Sequence, residues 1–255
     1  MDVKKRGGRG IHFNAIEEEG LLVTLYEDPN CAFKWGYIGY EPISLRVGEG
    51  REALIACMRR PCTISLGEEE VRLQPKDLLY VSGRASLKLG GRGSLIVVGE
   101  GLSGEGGRAS FTRRFRDVKP FTSGLEGYRR DIYTLVGEGD PTNSLMAGFT
   151  EGWPGEWTSF PPHRHDDKVE IYVYYGLGRG YGVQIVEDEE GVDVFLVRDY
   201  DAVVIVRGYH PNVATPGSRM CYLWILCQIR GAKSMKVEFH PDFRELPVGK
   251  SHLIR

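Results

Sequence analysis

No stretch of this 255-residue chain is apolar for long enough to cross a bilayer as a helix. Such a segment needs about 18 consecutive apolar residues, and the longest runs here are LLYV, SLIVV, AVVIV and CYLWILC. The opening stretch, MDVKKRGGRGIHFNAIEEEG, lacks the apolar core of a secretory signal, so neither export nor a membrane role is expected. An excess of one charge is missing too: 33 basic residues face 35 acidic ones, for a formal net charge of -2. That balance argues against nucleic acid as a partner. Cysteines are few and odd in number, and Cys31, Cys57, Cys62, Cys221 and Cys227 sit in apolar runs. They read as reduced core thiols rather than a disulfide framework, which points to a cytoplasmic protein.

Helical periodicity is scarce, and only residues 125–136 offer a plausible helix. Instead, 34 glycines and 13 prolines divide the chain into short runs rich in Val, Ile, Tyr, Leu and Phe. These run from 21–27 and 33–39 through 202–206 and 220–228, the pattern of an all-β sandwich or barrel. Residues 99–119 are glycine-rich and then basic, and they read as a linker between halves at 1–110 and 111–255. The halves share an echo: LQPKDLLYVSG around Asp77 and VRDYDAVVIVRG around Asp201 both pass from an acidic turn through an apolar strand to a glycine, as a duplication would leave. Within the linker, Gly99 to Gly104 match G-x-G-x-x-G, but no amphipathic helix follows to meet a pyrophosphate, so flexible linker is the expectation.

Histidine is the scarcest informative residue. Of six, only His12 lies in the first hundred residues, whereas His163, His165 and His210 lie together in the second half. His163 and His165 are two apart, so on an extended strand both rings point to one face; Glu170 follows after the polar turn 166–168, and Tyr172 and Tyr174 share its parity. His210 ends another apolar run, VIVRGYHP. Three imidazoles and one carboxylate on a β scaffold suit a borderline divalent metal, zinc first and Mn, Fe or Ni next, with positions left open. His12, His240 and His252 fall in loop or terminal contexts and are given no role.

At these residues the chain resembles the cupin superfamily, whose motifs are G-x5-H-x-H-x3,4-E-x6-G and G-x5-P-x-G-x2-H-x3-N. His163, His165 and Glu170 match the first, with Trp157 in place of the leading glycine; in the second, Tyr200 replaces glycine, Val206 replaces proline, and His210 arrives one residue early. The segments EGWPGEWTSFPPHRHD, EIYVYYGLGRGYGVQIV and VRDYDAVVIVRGYHP resemble the 5-deoxy-glucuronate isomerases of inositol catabolism. The short gap from His165 to Glu170 and the segment at Trp224 are similar to the 4-deoxy-L-threo-5-hexosulose-uronate ketol-isomerases of pectin breakdown. The resemblance implies two cupin (jelly-roll) barrels in one chain with little helix. It also implies one metal site, formed by His163, His165, Glu170 and His210 in the second barrel, and an aldose-ketose isomerase acting on a deoxy-uronic acid as a homo-oligomer.

Such an enzyme needs an acid/base group and a partner for the substrate carboxylate. Tyr172, Tyr174 and Gln184 are the candidates for the first role. For the second, Arg207 and Arg179 lie beside the motif, while Arg164, between two inward histidines, should point out. The basic run Arg113, Arg114, Arg116, Arg129 and Arg130 reads as a solvated or subunit-facing surface. An iron-dependent oxygenase would use the same ligands, and a cupin that only binds sugar is the third possibility.

Overall fold

The computed structural model describes residues 3–6, 8–15, 18–104 and 108–248; His252 and residues 105–107 of the expected linker lie outside them. Among the described residues helix is confined to two 3-10 turns, Phe115–Asp117 and Pro241–Phe243. The rest of the regular structure is strand. A six-stranded sheet faces a four-stranded sheet in the first half, and an eight-stranded sheet faces another four-stranded sheet in the second.

Each half has its own core between its two sheets. Ile43, Leu45, Ile55, Ile64, Leu87 and Ile96 belong to the first core; Tyr172, Tyr174, Phe195, Val203, Tyr222 and Trp224 belong to the second. A third apolar cluster joins the two large sheets back to back through Trp35, Leu54, Val97, Phe149, Ile171 and Ile225. The central strands are thus buried on both faces, which is why they read as continuous apolar runs. In Leu95–Leu102, for example, Ile96 and Val98 face the first core while Leu95 and Val97 face the joint.

The stretch 125–136, expected as a helix, is a turn followed by a strand. Tyr128 N donates to Leu125 O at 2.9 Å, Gly127 takes a φ of 95°, and Arg130–Val136 then pairs with Phe121–Ser123 and Leu145–Gly152. Ile132 packs on the second core and Tyr133 on the joint between halves, and this alternation with strand partners on both sides outweighs a weak helical period.

The expected flexible linker is also corrected. Residues 99–102 complete the strand Leu95–Leu102, and Phe111–Arg113 pairs with Leu78–Ser82. A Cβ on Gly99 would lie 2.7 Å from Ile225 Cγ2, and one on Gly101 would lie 2.2 Å from Ser144 Oγ. These glycines permit close approach of the two halves rather than flexibility.

The boundary at residue 110 does not follow the sheets either. Gly10–Phe13 pairs with Ala202–Ile205 in the second half's large sheet, and Phe111–Arg113 adds to the first half's sheet, so each half donates a strand to the other. His12 is accordingly a buried strand residue, its Nε2 3.3 Å from Asp201 Oδ2, not a loop residue.

The echo between halves has a geometric counterpart. Lys76 and Tyr200 take left-handed φ values of 73° and 67°. The aspartate after each, Asp77 or Asp201, accepts from the backbone N–H three residues earlier, at 2.9 Å in both cases. Each also accepts from an incoming segment, Phe115 N at 3.0 Å and Ala15 N at 2.8 Å respectively.

The halves are further tied by Glu52, a fully buried carboxylate that accepts from Tyr80 Oη, from the backbone N–H groups of Asn143, Ser144 and Leu145, and from Ser144 Oγ. Replacing Glu52 with alanine strands two buried N–H donors, those of Ser144 and Leu145, at ~1–3 kcal/mol each. Glu52→Ala is therefore expected to lower the calorimetric melting midpoint by roughly 4–24 °C. A midpoint within about 2 °C of wild type, a shift worth less than ~1 kcal/mol, would contradict this role.

Candidate metal centre and active site

The strand Lys168–Tyr175 is central to the site. It lies between Ala202–Ile205 and Cys221–Gln228, with Glu170 opposite Ile205 on one side and Leu226 on the other. Val169, Ile171 and Val173 face the joint between halves. Period-two alternation therefore turns Lys168, Glu170, Tyr172 and Tyr174 toward the interior of the second barrel. Lys168, expected in a polar turn, belongs to this strand and is 1% exposed; its Nζ donates to Asp167 Oδ1 at 2.6 Å and to the Lys236 carbonyl at 3.2 Å.

His165, Glu170 and His210 form a buried group of close ligand atoms. His165 Nε2 is 3.0 Å and His210 Nε2 3.4 Å from Glu170 Oε2. His163 lies beside them, its ring 4.8 Å from that of His210 and 6.4 Å from that of His165 between centroids. Two of the rings are aimed by their other nitrogen: His163 Nδ1 sits 3.1 Å from Pro161 O and His210 Nδ1 2.9 Å from Gly208 O. This is how metal-binding imidazoles are oriented, with Nε2 left for the ion.

Burial, reinforced by the neighbouring histidines, pushes the His163 imidazole well below its ordinary range, so the ring is neutral. Burial opposes ionisation of Glu170, but the hydrogen bond from His165 and the close approach of His210 outweigh it and hold the carboxyl down to about 2. The donor set is therefore imidazole nitrogen and carboxylate oxygen.

His210 Nε2, in a side chain with no exposed surface, has no hydrogen-bond partner. A buried orphan of that kind costs about 1–3 kcal/mol unless something else satisfies it. The residues fit a divalent ion held by His165, Glu170 and His210, with His163 adjacent.

The cluster opens on a cavity of about 480 Å³, the size of a small-molecule site. His163, His165, Glu170, Tyr172 and Ser159 line it together with Arg130, Thr150, Tyr222 and Trp224. Tyr172 Oη is 3.3 Å from Ser159 Oγ, and burial pushes its phenol well above the ordinary value, so the hydroxyl stays protonated. Gly148 leaves space for the wall, since a Cβ there would lie 2.4 Å from the Trp224 ring.

Other expected residues lie elsewhere. Tyr174 and Gln184 are not in the cavity wall: Tyr174 Oη donates to Gln184 Oε1 at 2.8 Å, and Gln184 Nε2 donates to the His210 carbonyl at 3.0 Å. Asn212 Nδ2 also donates to Gln184 Oε1, at 2.9 Å. This network positions the His210 segment instead of touching a substrate. Arg207 pairs with Asp188 and Glu190 at the surface, and Arg179 is exposed on a turn. Neither faces the cavity. Arg164 points outward to Glu189 and Glu238.

The expected basic surface run is also split. Arg113, Arg114 and Arg129 pair with Asp140, Asp77 and Glu156, while Arg130 is buried in the cavity wall. The signal that could have found Arg130 is the alternation Arg130, Ile132, Thr134, one face of a strand, which the helical reading hid.

Comparisons with known proteins agree with this architecture. A model of the KduI/IolB family matches residues 16–246. The chain is 24% identical over 242 residues to a 5-deoxy-glucuronate isomerase of Geobacillus kaustophilus, covering 82% of this chain and 85% of that one. It is 27% identical over 196 residues to a 4-deoxy-L-threo-5-hexosulose-uronate ketol-isomerase of Opitutus terrae, covering 70% and 67%. Among solved structures, an IolB-like protein from Salmonella typhimurium superposes with a TM-score of 0.80 at 16% identity, over 91% of this chain and 97% of that one. A cupin 2 conserved barrel domain protein from Leptotrichia buccalis gives 0.55 at 18% identity, over 88% and 99%. The fold is that of the cupins.

Elemental analysis of the purified protein is expected to give about one divalent ion per chain, as one four-ligand set requires. His165→Ala and His210→Ala should each lose it with the circular dichroism spectrum unchanged. Stoichiometric metal in a His163→Ala/His210→Ala double variant would remove the site from this cluster.

Proposed function

Because this chain belongs to the KduI/IolB family, we propose that it is a metal-dependent isomerase interconverting the aldehyde and keto forms of a deoxy-uronic acid. 5-Deoxy-glucuronate is the first substrate to test. The isomerase names of both groups of relatives support an intramolecular oxidoreductase acting on a uronate. The observation that carries the reading is that His165 and Glu170 of the ligand cluster line the same cavity as Tyr172.

Moving a carbonyl between adjacent carbons shifts a proton from one carbon to its neighbour and a second between their oxygens. A divalent ion held by the cluster supplies Lewis acidity toward the carbonyl. Tyr172 Oη, which burial keeps protonated at neutral pH, is the acid that gives its proton to the carbonyl oxygen and takes one back from the neighbouring hydroxyl. Ser159 fixes the Tyr172 hydroxyl from the side, and the network of Tyr174, Gln184 and Asn212 fixes the strand end that carries His210. Trp224, Leu226 and Met235 in the cavity wall keep water from the reacting carbons.

The relative from Opitutus terrae makes 4-deoxy-L-threo-5-hexosulose-uronate the second substrate to assay. Reaction in heavy water should place solvent deuterium on the carbon next to the carbonyl of one of the two acids. Tyr172→Phe should lower kcat by at least ~100-fold, in line with loss of a general acid/base, while metal content stays at the wild-type level. Uptake of dioxygen without isomerisation of either acid would replace this reading with the oxygenase one.

A further inference from the structure

Arg130 is the one cation of its basic run without a carboxylate partner among the described residues. Arg113, Arg114, Arg116 and Arg129 all pair with acidic side chains, whereas among the described residues the Arg130 guanidinium makes one hydrogen bond, from Nη1 to the Tyr128 carbonyl at 3.2 Å. Yet Arg130 is 2% exposed. Burial acts to lower its pKa, opposed only by the phenols of Tyr222, Tyr172 and Tyr128. A guanidinium stays charged in proteins, so withdrawing it from water without a counter-ion is strongly unfavourable. Among the described residues its other N–H groups make no hydrogen bond, and the side chain lines the cavity that holds His163, His165 and Glu170. An anion entering that cavity would supply the acceptor and the counter-charge.

The geometry points to Arg130 as the group that binds the substrate's carboxylate, and so as the residue that makes the site specific for a sugar acid over a neutral sugar. Its strand, Arg130–Val136, is three places along the sheet from Lys168–Tyr175, which bears Glu170. The anion is thereby held on a different strand of the cavity wall from the one that bears Glu170, with Ile132 and Trp224 also lining the cavity. A planar fork matches a carboxylate with two parallel N–H···O bonds. One positive charge suits a monoanion better than a phosphate dianion. Of the two lysines that line the cavity, Lys168 Nζ is already committed to Asp167 and the Lys236 carbonyl, and Lys236 is exposed to solvent.

This assignment rests on the uronate reading for its biological ligand, but its test does not need turnover. Calorimetric titration of the metal-loaded full chain with D-glucuronate and with D-glucose should show the acid bound at least ~30-fold more tightly, the effect of a buried charged hydrogen-bonded pair. In Arg130→Met the two sugars should bind within about twofold of each other. Its melting point should equal or exceed wild type, because a buried charge has been replaced by an apolar chain of similar volume. Arg130→Lys, which keeps charge without the fork, should fall between.

Retained preference for glucuronate in Arg130→Met, or no preference in wild type, overturns the assignment. Inorganic phosphate displacing glucuronate at lower concentration than glucuronate itself requires overturns the carboxylate and leaves a phosphate site. If Arg130→Met melts well below wild type, Arg130→Lys decides: full discrimination in it excludes the bidentate role, and partial discrimination supports it. Acid-selective binding with no isomerisation of any uronate sinks the isomerase reading alone. Isomerisation by Arg130→Met with an unchanged KM sinks the anchor alone.

Discussion

The register of one strand controls most of the chemistry described above. Lys168–Tyr175 is hydrogen-bonded on both sides, to Ala202–Ile205 and to Cys221–Gln228, and both faces are buried, one against the other half and one inside the barrel. A slip of one residue would drive Glu170 and Tyr172 into the apolar joint between halves and turn Val169 and Ile171 into the cavity. Burying a carboxylate among Phe149, Ile225 and Leu223 without partners is prohibitive. The apolar joint therefore fixes where the ligands point, and a surface with no part in the reaction sets the geometry of the site.

The same joint explains the rest of the architecture. Two large sheets back to back need backbones that approach closely, which Gly99 and Gly101 allow, and buried polar groups that are satisfied across the seam, which Glu52 achieves with the backbone of 143–145. The reciprocal strands Gly10–Phe13 and Phe111–Arg113 extend each large sheet with residues from outside its own half. The first half contributes no ligand to the cluster, but it clamps the sheet from which the cluster projects.

Much of the fold was legible because strands buried on both faces write themselves as apolar runs. The ligand cluster was legible because histidine is rare here and His163, His165 and Glu170 lie close in sequence. What escaped reading depended on partners far along the chain. Residues 125–136 carry a weak helical period, and only Phe121–Ser123 and Leu145–Gly152 at its sides make it a strand. Arg130 was hidden by that error and by four other arginines that do reach ion pairs near the surface. Arg207 and Arg179 were close to the motif in sequence but lie on turns outside the barrel, since adjacency to a ligand in sequence says little about facing the same cavity. Tyr174 shares the parity of Tyr172, yet two residues along the strand moves it from the cavity wall to a buried network.

One cavity is lined both by the histidine–carboxylate cluster proposed to hold a metal and by Arg130, proposed to bind the anion. A crystal structure of the metal-loaded protein soaked with a uronate, with anomalous data collected at the metal edge, tests both together. One anomalous peak per chain is expected among His163, His165, Glu170 and His210, and sugar density with its carboxylate on Arg130 and its carbonyl end toward the peak. A peak elsewhere, or a sugar whose carboxylate sits on the metal with Arg130 untouched, would contradict this expectation.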